Sequence, residues 1–288
     1  MQFASPTIDS RSVEALPGGT IEQGSGEPIV LLHGVLGTPR MWSEVLPLLA
    51  SQYRAIALAA LGHHGGRRCE LRPARIEHIV DDVERSLDLL GLESAHLVGN
   101  SMGGWVALEL SRRGRARSVC AFSPAGMWRA TGETASHSSG RAKLRAIVRL
   151  TRATRSMLPL TARSSFVRKL ALRDNAVHGD RTTPAAMIAL ADAVLNCEVA
   201  EDLLATNEIF APLEVTCPTQ IVWAAVDRIF PIRSFAPTAR ERVIGASHSV
   251  LEDVGHVPML DNPEIVATTI LQHVAQVSNE HGREAAYV

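Results

Sequence analysis

His96-Leu97-Val98-Gly99-Asn100-Ser101-Met102-Gly103-Gly104-Trp105-Val106-Ala107-Leu108-Glu109-Leu110 is the stretch whose reading decides the fold. His96 to Gly99 read as a short buried strand, and Met102 to Arg113 carry apolar residues at helical spacing. Only Asn100 and Ser101 are left for the turn between them. A strand that reverses into a helix over so few residues forces its apex residue into strained backbone, and flanking glycines avoid side-chain clashes there. The pattern Gly99-x-Ser101-x-Gly103 is weak alone and gains weight from the strand before it and the helix after it. The bland alternative is Ser101 as a simple helix cap, with the glycines serving packing.

Outward from this turn, strand and helix patterns alternate. Pro28 opens a fully apolar run, Ile29 to Leu32, as a buried parallel strand requires. Thr38-Pro39 begins a predicted helix through about Leu49, Ala55 to Ala59 read as a strand, and residues 75–90 as a helix closed by Gly91. Val119 to Phe122, Gln220 to Ala224 and, weakly, Val250-Leu251 complete the strands. Pro263 to Val277 make a last helix behind Asn262, with a frayed tail from Ser278. Between about Pro124 and Phe210 no strand pattern occurs, and four helices are predicted near 141–157, 162–173, 184–196 and 199–206. The fold class is therefore α/β: a mostly parallel central sheet with helices on both faces and an inserted helical cap. The core is placed at 1–123 and 211–288, and the cap at 124–210.

Composition is that of an ordinary globular chain. Its 288 residues carry 46% apolar and 20% charged residues and a net charge of −1, which points to no nucleic-acid partner. Cys69, Cys120, Cys197 and Cys217 form no CxxC pair, so neither a metal nor a redox centre is indicated. The start, Met1 to Gly19, lacks a basic, apolar leader, and no run approaches the 18 to 20 apolar residues that span a bilayer. The expected location is cytoplasmic.

A serine hydroxyl is a poor nucleophile at neutral pH unless an imidazole takes its proton, and that imidazole needs a carboxylate to fix its tautomer. Six histidines follow Ser101: His137, His178, His248, His256, His273 and His281. His256 lies in a loop between the last strand and the last helix, after Gly255 and before Pro258, and is the predicted base; His248 is the competitor. Asp227 follows the strand Ile221 to Ala225 and is the predicted acid. Asp253 lies too near His256 in sequence for a separate loop, and Asp261 reads as a cap of the last helix. The predicted oxyanion donors are the amides of Val35, in the Leu32 to Gly37 turn, and Met102. Gly34, Gly99 and Gly103 support these turns, and His33 reads as a structural ring that holds its loop.

These pieces, LLHGVLG, GHHGG, GNSMGG, CPTQIVWAAVDRIFP and VGHVPMLDNPE, resemble the α/β-hydrolase superfamily over about residues 27–278, nearest its capped, esterase-like members. The resemblance implies a serine hydrolase with Ser101 as nucleophile, Asp227 as acid, His256 as base and residues 124–210 as the cap. It implies an acyl-serine route for an ester or thioester, a small-molecule acyl substrate, and no metal or cofactor. The alternatives are a carbon–carbon bond hydrolase with the same triad, or a slow or inert binding member of the fold. Serine rather than aspartate at position 101 argues against the dehalogenase and epoxide-hydrolase branches. Where relatives often carry Asp-Leu-Pro-Gly-His-Gly, residues 59–65 here read Ala-Ala-Leu-Gly-His-His-Gly, which leaves the shape of loop 60–66 and the roles of His63 and His64 open.

One feature stands apart. From Ala135 to Arg173 there are ten Lys or Arg and no Asp or Glu, which leaves 19 basic against 30 acidic residues elsewhere. Arg141, Arg145, Arg149 and Arg152 fall on one helical stripe. Such a stripe either balances an acidic body or attracts an anionic substrate or membrane surface.

Overall fold

The computed structural model describes residues 16–129 and 135–285. The first fifteen residues, on which part of the leader expectation rests, fall outside them, as do the side chains of His137 and His281. The strands are β1 (Ile21–Gln23), β2 (Pro28–Leu32), β3 (Arg54–Leu58), β4 (Ala95–Asn100), β5 (Ala116–Phe122), β6 (Leu213–Glu214), β7 (Thr219–Ala224), β8 (Val243–Ile244) and β9 (Ser247–Leu251). The helices are α1 (Leu46–Ala50), α2 (Ile76–Leu89), α3 (Met102–Arg112), α4 (Ala135–Thr154), α5 (Leu158–Thr161), α6 (Ser165–Leu172), α7 (Pro184–Leu195), α8 (Ala200–Ala205), α9 (Ile232–Arg242), α10 (Pro258–Asp261) and α11 (Pro263–Ala285).

Seven strands form one sheet in the order β1-β3-β2-β4-β5-β7-β9, parallel throughout except for β1. The alternation of side chains along each strand divides the core in two. Val30, Leu32, Ile56, Leu58, Leu97 and Trp223 pack on one face against α2, α3 and α9. Ile29, Leu31, Ala55, Val98, Phe122 and Val222 pack on the other against α1 and α11. Both faces are covered, which is why β2 and β4 are buried along their whole length. From β2 the chain passes to β3 on one side and then returns to β4 on the other. The order reverses between β2 and β4, and in open α/β sheets ligands bind at the carboxyl ends of strands beside such a reversal.

Several expectations change in detail. The single helix predicted from Thr38 to Leu49 is a 3-10 turn, Pro39–Trp42, followed by α1. Pro47 explains the break, because it lacks the N–H that a continuous helix would use there and fits the first turn of a new one. The tail expected to fray at Ser278 continues as helix to Ala285. Loop 60–66 is a compact turn, closed by Gly62 N–H to the Arg67 carbonyl at 2.7 Å and Gly66 N–H to the His63 carbonyl at 2.8 Å. Between β5 and β6 the described residues form helices and no strand. None of the described helices is long and apolar enough to cross a membrane.

Candidate active site

Ser101 sits between β4 and α3 with φ 57° and ψ −116°, a left-handed conformation that costs a non-glycine residue roughly 1–3 kcal/mol. The surroundings impose it. Ser101 N–H donates to the Phe122 carbonyl at 2.9 Å, and the Ser101 carbonyl accepts from Gly104 and Ala125 N–H at 3.0 Å each. The glycines are required by close approach: a Cβ on Gly99 would strike the Gly103 backbone, and one on Gly103 would strike the Leu32 carbonyl. Gly34 lies across from the serine, where an added Cβ would come within 3.2 Å of Ser101 Cβ. Met102 opens α3, so its N–H has no partner inside the helix. Val35 lies in the turn after β2 and lines the same cavity as Ser101.

The acid and the base meet across 29 residues of sequence. His256 Nδ1 donates to Asp227 Oδ2 at 2.7 Å, and both groups are buried. Asp227 Oδ1 accepts from the N–H of Ile229 at 2.9 Å and of Phe230 at 2.7 Å, so three donors hold its carboxylate. The Phe230 ring meets the His256 ring edge to face, with centroids 5.0 Å apart. His256 and Ser101 line one cavity, and no hydrogen bond joins them directly. A catalytic contact of this kind commonly tightens only when substrate is bound. His248 lies within β9, opposite Ile221, outside this cavity; burial and then Arg240 lower its pKa.

Two residues that sequence reasoning passed over hold the base in place. Asn100 Nδ2 donates to the His256 carbonyl at 2.8 Å and to the Phe122 carbonyl at 3.3 Å, tying the serine turn to the histidine loop. Asp261 does not cap α11, a role taken by Asn262, whose Oδ1 accepts from Ile265 N–H at 3.0 Å. Instead the buried Asp261 carboxylate accepts from Gly255 N–H at 2.7 Å, His178 N–H at 2.6 Å and Val177 N–H at 3.1 Å. The chain before His256 is thereby fastened to the loop after α6, and Val257 N–H donates to the Asn175 carbonyl at 2.9 Å beside it. A carboxylate next to Asn-Pro looks like a helix cap in sequence, and nothing local marks partners some 80 residues away.

His33 is locked as a neutral ring: Nδ1 donates to the Gly34 carbonyl at 2.8 Å and Nε2 accepts from Ala60 N–H at 3.1 Å. Burial, and then the neighbouring His63, push its pKa down to about 3. His63, with its ring centroid 5.1 Å away, is buried too and lowered to about 4, and its Nδ1 donates to the Leu61 carbonyl at 2.9 Å. Burial keeps both rings neutral.

Two cavities flank Ser101. The larger, about 540 Å³, lies under α4 to α7 and is lined by Met41, Ile147, Leu158, Leu190, Val257 and His256 among others. The smaller, about 50 Å³, is walled by Met102, Trp105, Trp128, Leu203 and Phe230. Leu144 of α4 stands between them and lines both. Lys143 and Arg173 reach the larger cavity, where they share Asp174 at 3.8 and 3.9 Å. Among the described residues no group of three His, Cys, Asp or Glu is placed to hold a metal ion. The arrangement suits proton transfer from a hydroxyl to a carboxylate-held imidazole.

The sequence model of the alpha/beta hydrolase family matches residues 29–269. The epoxide hydrolase EphH of Mycobacterium tuberculosis is 31% identical over 207 residues, covering 69% of this chain and 94% of that protein. A thermophilic esterase from Thermogutta terrifontis superposes with a TM-score of 0.67 at 22% identity, over 90% of this chain and 93% of that one. The 2-hydroxy-6-oxo-6-phenylhexa-2,4-dienoate hydrolase of Rhodococcus sp. strain RHA1 superposes with a TM-score of 0.70 at 18% identity, over 90% and 97%.

Proposed function

The chain belongs to the alpha/beta hydrolase family, and from that premise we propose that it cleaves a carboxylic ester or thioester through an acyl-Ser101 intermediate. The observation that carries the reading is the strained Ser101, facing one cavity with a histidine whose far nitrogen is bonded to a buried, three-donor aspartate. In the first half-reaction His256 Nε2 takes the Ser101 proton as Oγ bonds to the acyl carbon. The carbonyl electrons move onto oxygen, where the amides of Val35 and Met102 receive the charge. Collapse breaks the bond to the leaving oxygen or sulfur, which takes its proton from His256. In the second half water gives a proton to His256 and attacks the acyl carbon, and His256 returns that proton to Ser101 Oγ as the bond to the acid breaks. Asp227 holds the ring in the Nδ1–H tautomer and stabilises its cation throughout.

The serine weighs against the activity named for the Mycobacterium relative. A serine that opened an epoxide would become an alkyl ether, which offers water no carbonyl to attack.

The leaving group must lie on the His256 side, because that ring protonates it. His256 lines the larger cavity, whose volume is in the range that takes a ligand of drug size. The smaller cavity holds only a few atoms, given that one water needs roughly 10–15 Å³. The substrate class is thus an ester of a short acid with a bulky, apolar alcohol. Decyl acetate and methyl undecanoate, which are isomers, test it: kcat/KM is expected to be at least about tenfold higher for decyl acetate, because a misfit of a few methylenes exceeds that ratio. The opposite preference would place the acyl chain in the larger cavity. Failure to turn over any ester or thioester would overturn the proposal itself.

A further inference from the structure

We infer that the outer face of α4 to α6 is a docking surface for an anionic phospholipid bilayer. Leu150, Met157, Leu160, Phe166 and Leu170 are 60, 61, 71, 72 and 49% exposed, five large apolar side chains within 21 consecutive positions. Scattered single apolar residues are ordinary on a protein surface, whereas a contiguous group marks a contact. Leu150, Met157 and Leu170 also line the larger cavity, so the exposed group continues into that cavity's mouth.

The charges on this segment divide by what they touch. Arg141 and Arg145 are engaged by backbone, donating to the carbonyls of Thr206 and Leu204. Arg155 pairs with Asp192, Lys169 with Asp180, and Arg168 donates to three carbonyls. Arg149, Arg152 and Arg163 are exposed and have no carboxylate within ion-pair distance among the described residues. They stand among the exposed apolar side chains in sequence. Protruding apolar side chains between guanidinium groups match the edge of a bilayer, where acyl chains accept the first and phosphate oxygens the second. A folded partner would have to match an uneven surface in shape, while a bilayer accommodates it. The surface does not depend on the chemistry at Ser101, so binding can be measured apart from turnover.

Co-sedimentation of the full chain with phosphatidylcholine vesicles, with and without one-third phosphatidylglycerol, tests the inference. Binding is expected on the anionic vesicles and at least about tenfold weaker on phosphatidylcholine alone, and it should fall with salt. Replacing Arg149, Arg152 and Arg163 by Gln should weaken anionic binding roughly a hundredfold, at about fivefold per cation. Leu160→Ser with Phe166→Ser should abolish it. Both variant sets should retain wild-type hydrolysis of a soluble ester, and Ser101→Ala should bind vesicles like wild type. The inference is overturned if the wild type ignores anionic vesicles at low salt, or if both variant sets bind unchanged. It is also overturned if light scattering shows a dimer that Leu160→Ser with Phe166→Ser converts to a monomer, since the surface would then be a contact between copies.

Discussion

The strand ends that carry Ser101, Asp227 and His256 and the helices α4 to α6 enclose one cavity, yet their polar groups are handled in opposite ways. At the strand ends the buried polar groups are tied to backbone: Asp227 takes two backbone donors besides the His256 ring, Asp261 three, and Asn100 donates to two carbonyls. On α4 to α6 large apolar side chains are exposed and cations outnumber their carboxylates. The first region is built by fixed distances, so single substitutions there should act steeply. The second works through summed surface properties, so its effects should be graded and sensitive to salt.

The steepest effect should come from His256→Ala, expected to lower kcat by about 10⁵–10⁶, with little further loss when Ser101→Ala is added, because such groups act as a unit. His248→Ala should stay within about twofold of wild type. Steady-state kinetics of the four proteins would break the comparison if the ranking of the two histidines reversed. Asp227→Asn is expected next, at about 10⁴ in kcat with the fold retained. The amide oxygen can still accept from Ile229 and Phe230, but it invites the wrong tautomer of His256. Activity within tenfold of wild type would show that another carboxylate orients the ring.

Asp261→Asn sharpens the comparison, because it lies where the two regions join. The amide turns its N–H groups either toward the donors of Val177 and Gly255, which share Oδ2, or toward that of His178 on Oδ1, a loss of roughly 1–3 kcal/mol. For a chain of this size that lowers Tm by about 2–4 °C per kcal/mol. As a positioning residue for the His256 loop, it should also lower kcat about tenfold with KM little changed. A lower Tm with unchanged kcat would confine Asp261 to stability.

How much of this was legible beforehand follows from the range of each interaction. The β4–α3 turn announces itself within a few residues, because the glycines and the serine must be adjacent. The two-residue strands β6 and β8 and the three-residue β1 are too short to carry a period, and they form only where a neighbour supplies a ladder. Pro47 sat inside the helix expected from Thr38, and its missing N–H was the overlooked signal. The stripe Arg141, Arg145, Arg149 and Arg152 was visible as a period, but the hold of its first half on the carbonyls of Leu204 and Thr206, at the end of α8 and just after it, is something no helical spacing reveals.

The last effect appears only in acid. His33 and His63 are lowered to about 3 and 4, whereas in the unfolded chain they titrate near 6.5. Above pH 6.5 both states are neutral and nothing is lost. Below it the unfolded chain binds two protons that the fold refuses, so these rings make stability fall as pH drops toward about 4, at up to roughly 2.7 kcal/mol per pH unit. His63→Asn, which keeps a donor for the Leu61 carbonyl, should halve that share in urea titrations. An unchanged slope would show that neither ring is kept neutral by the fold.

The central claim is that Ser101 is the nucleophile that takes the acyl group, and a fluorophosphonate, which a nucleophilic serine attacks at phosphorus with loss of fluoride, tests that nucleophilicity directly. Intact-mass and peptide analysis after labelling should show one adduct, on Ser101, with loss of ester hydrolysis in proportion to labelling. The adduct should be absent in Ser101→Ala and much slower to form in His256→Ala. An adduct on another residue, or full ester turnover by the unlabelled Ser101→Ala protein, would contradict the account.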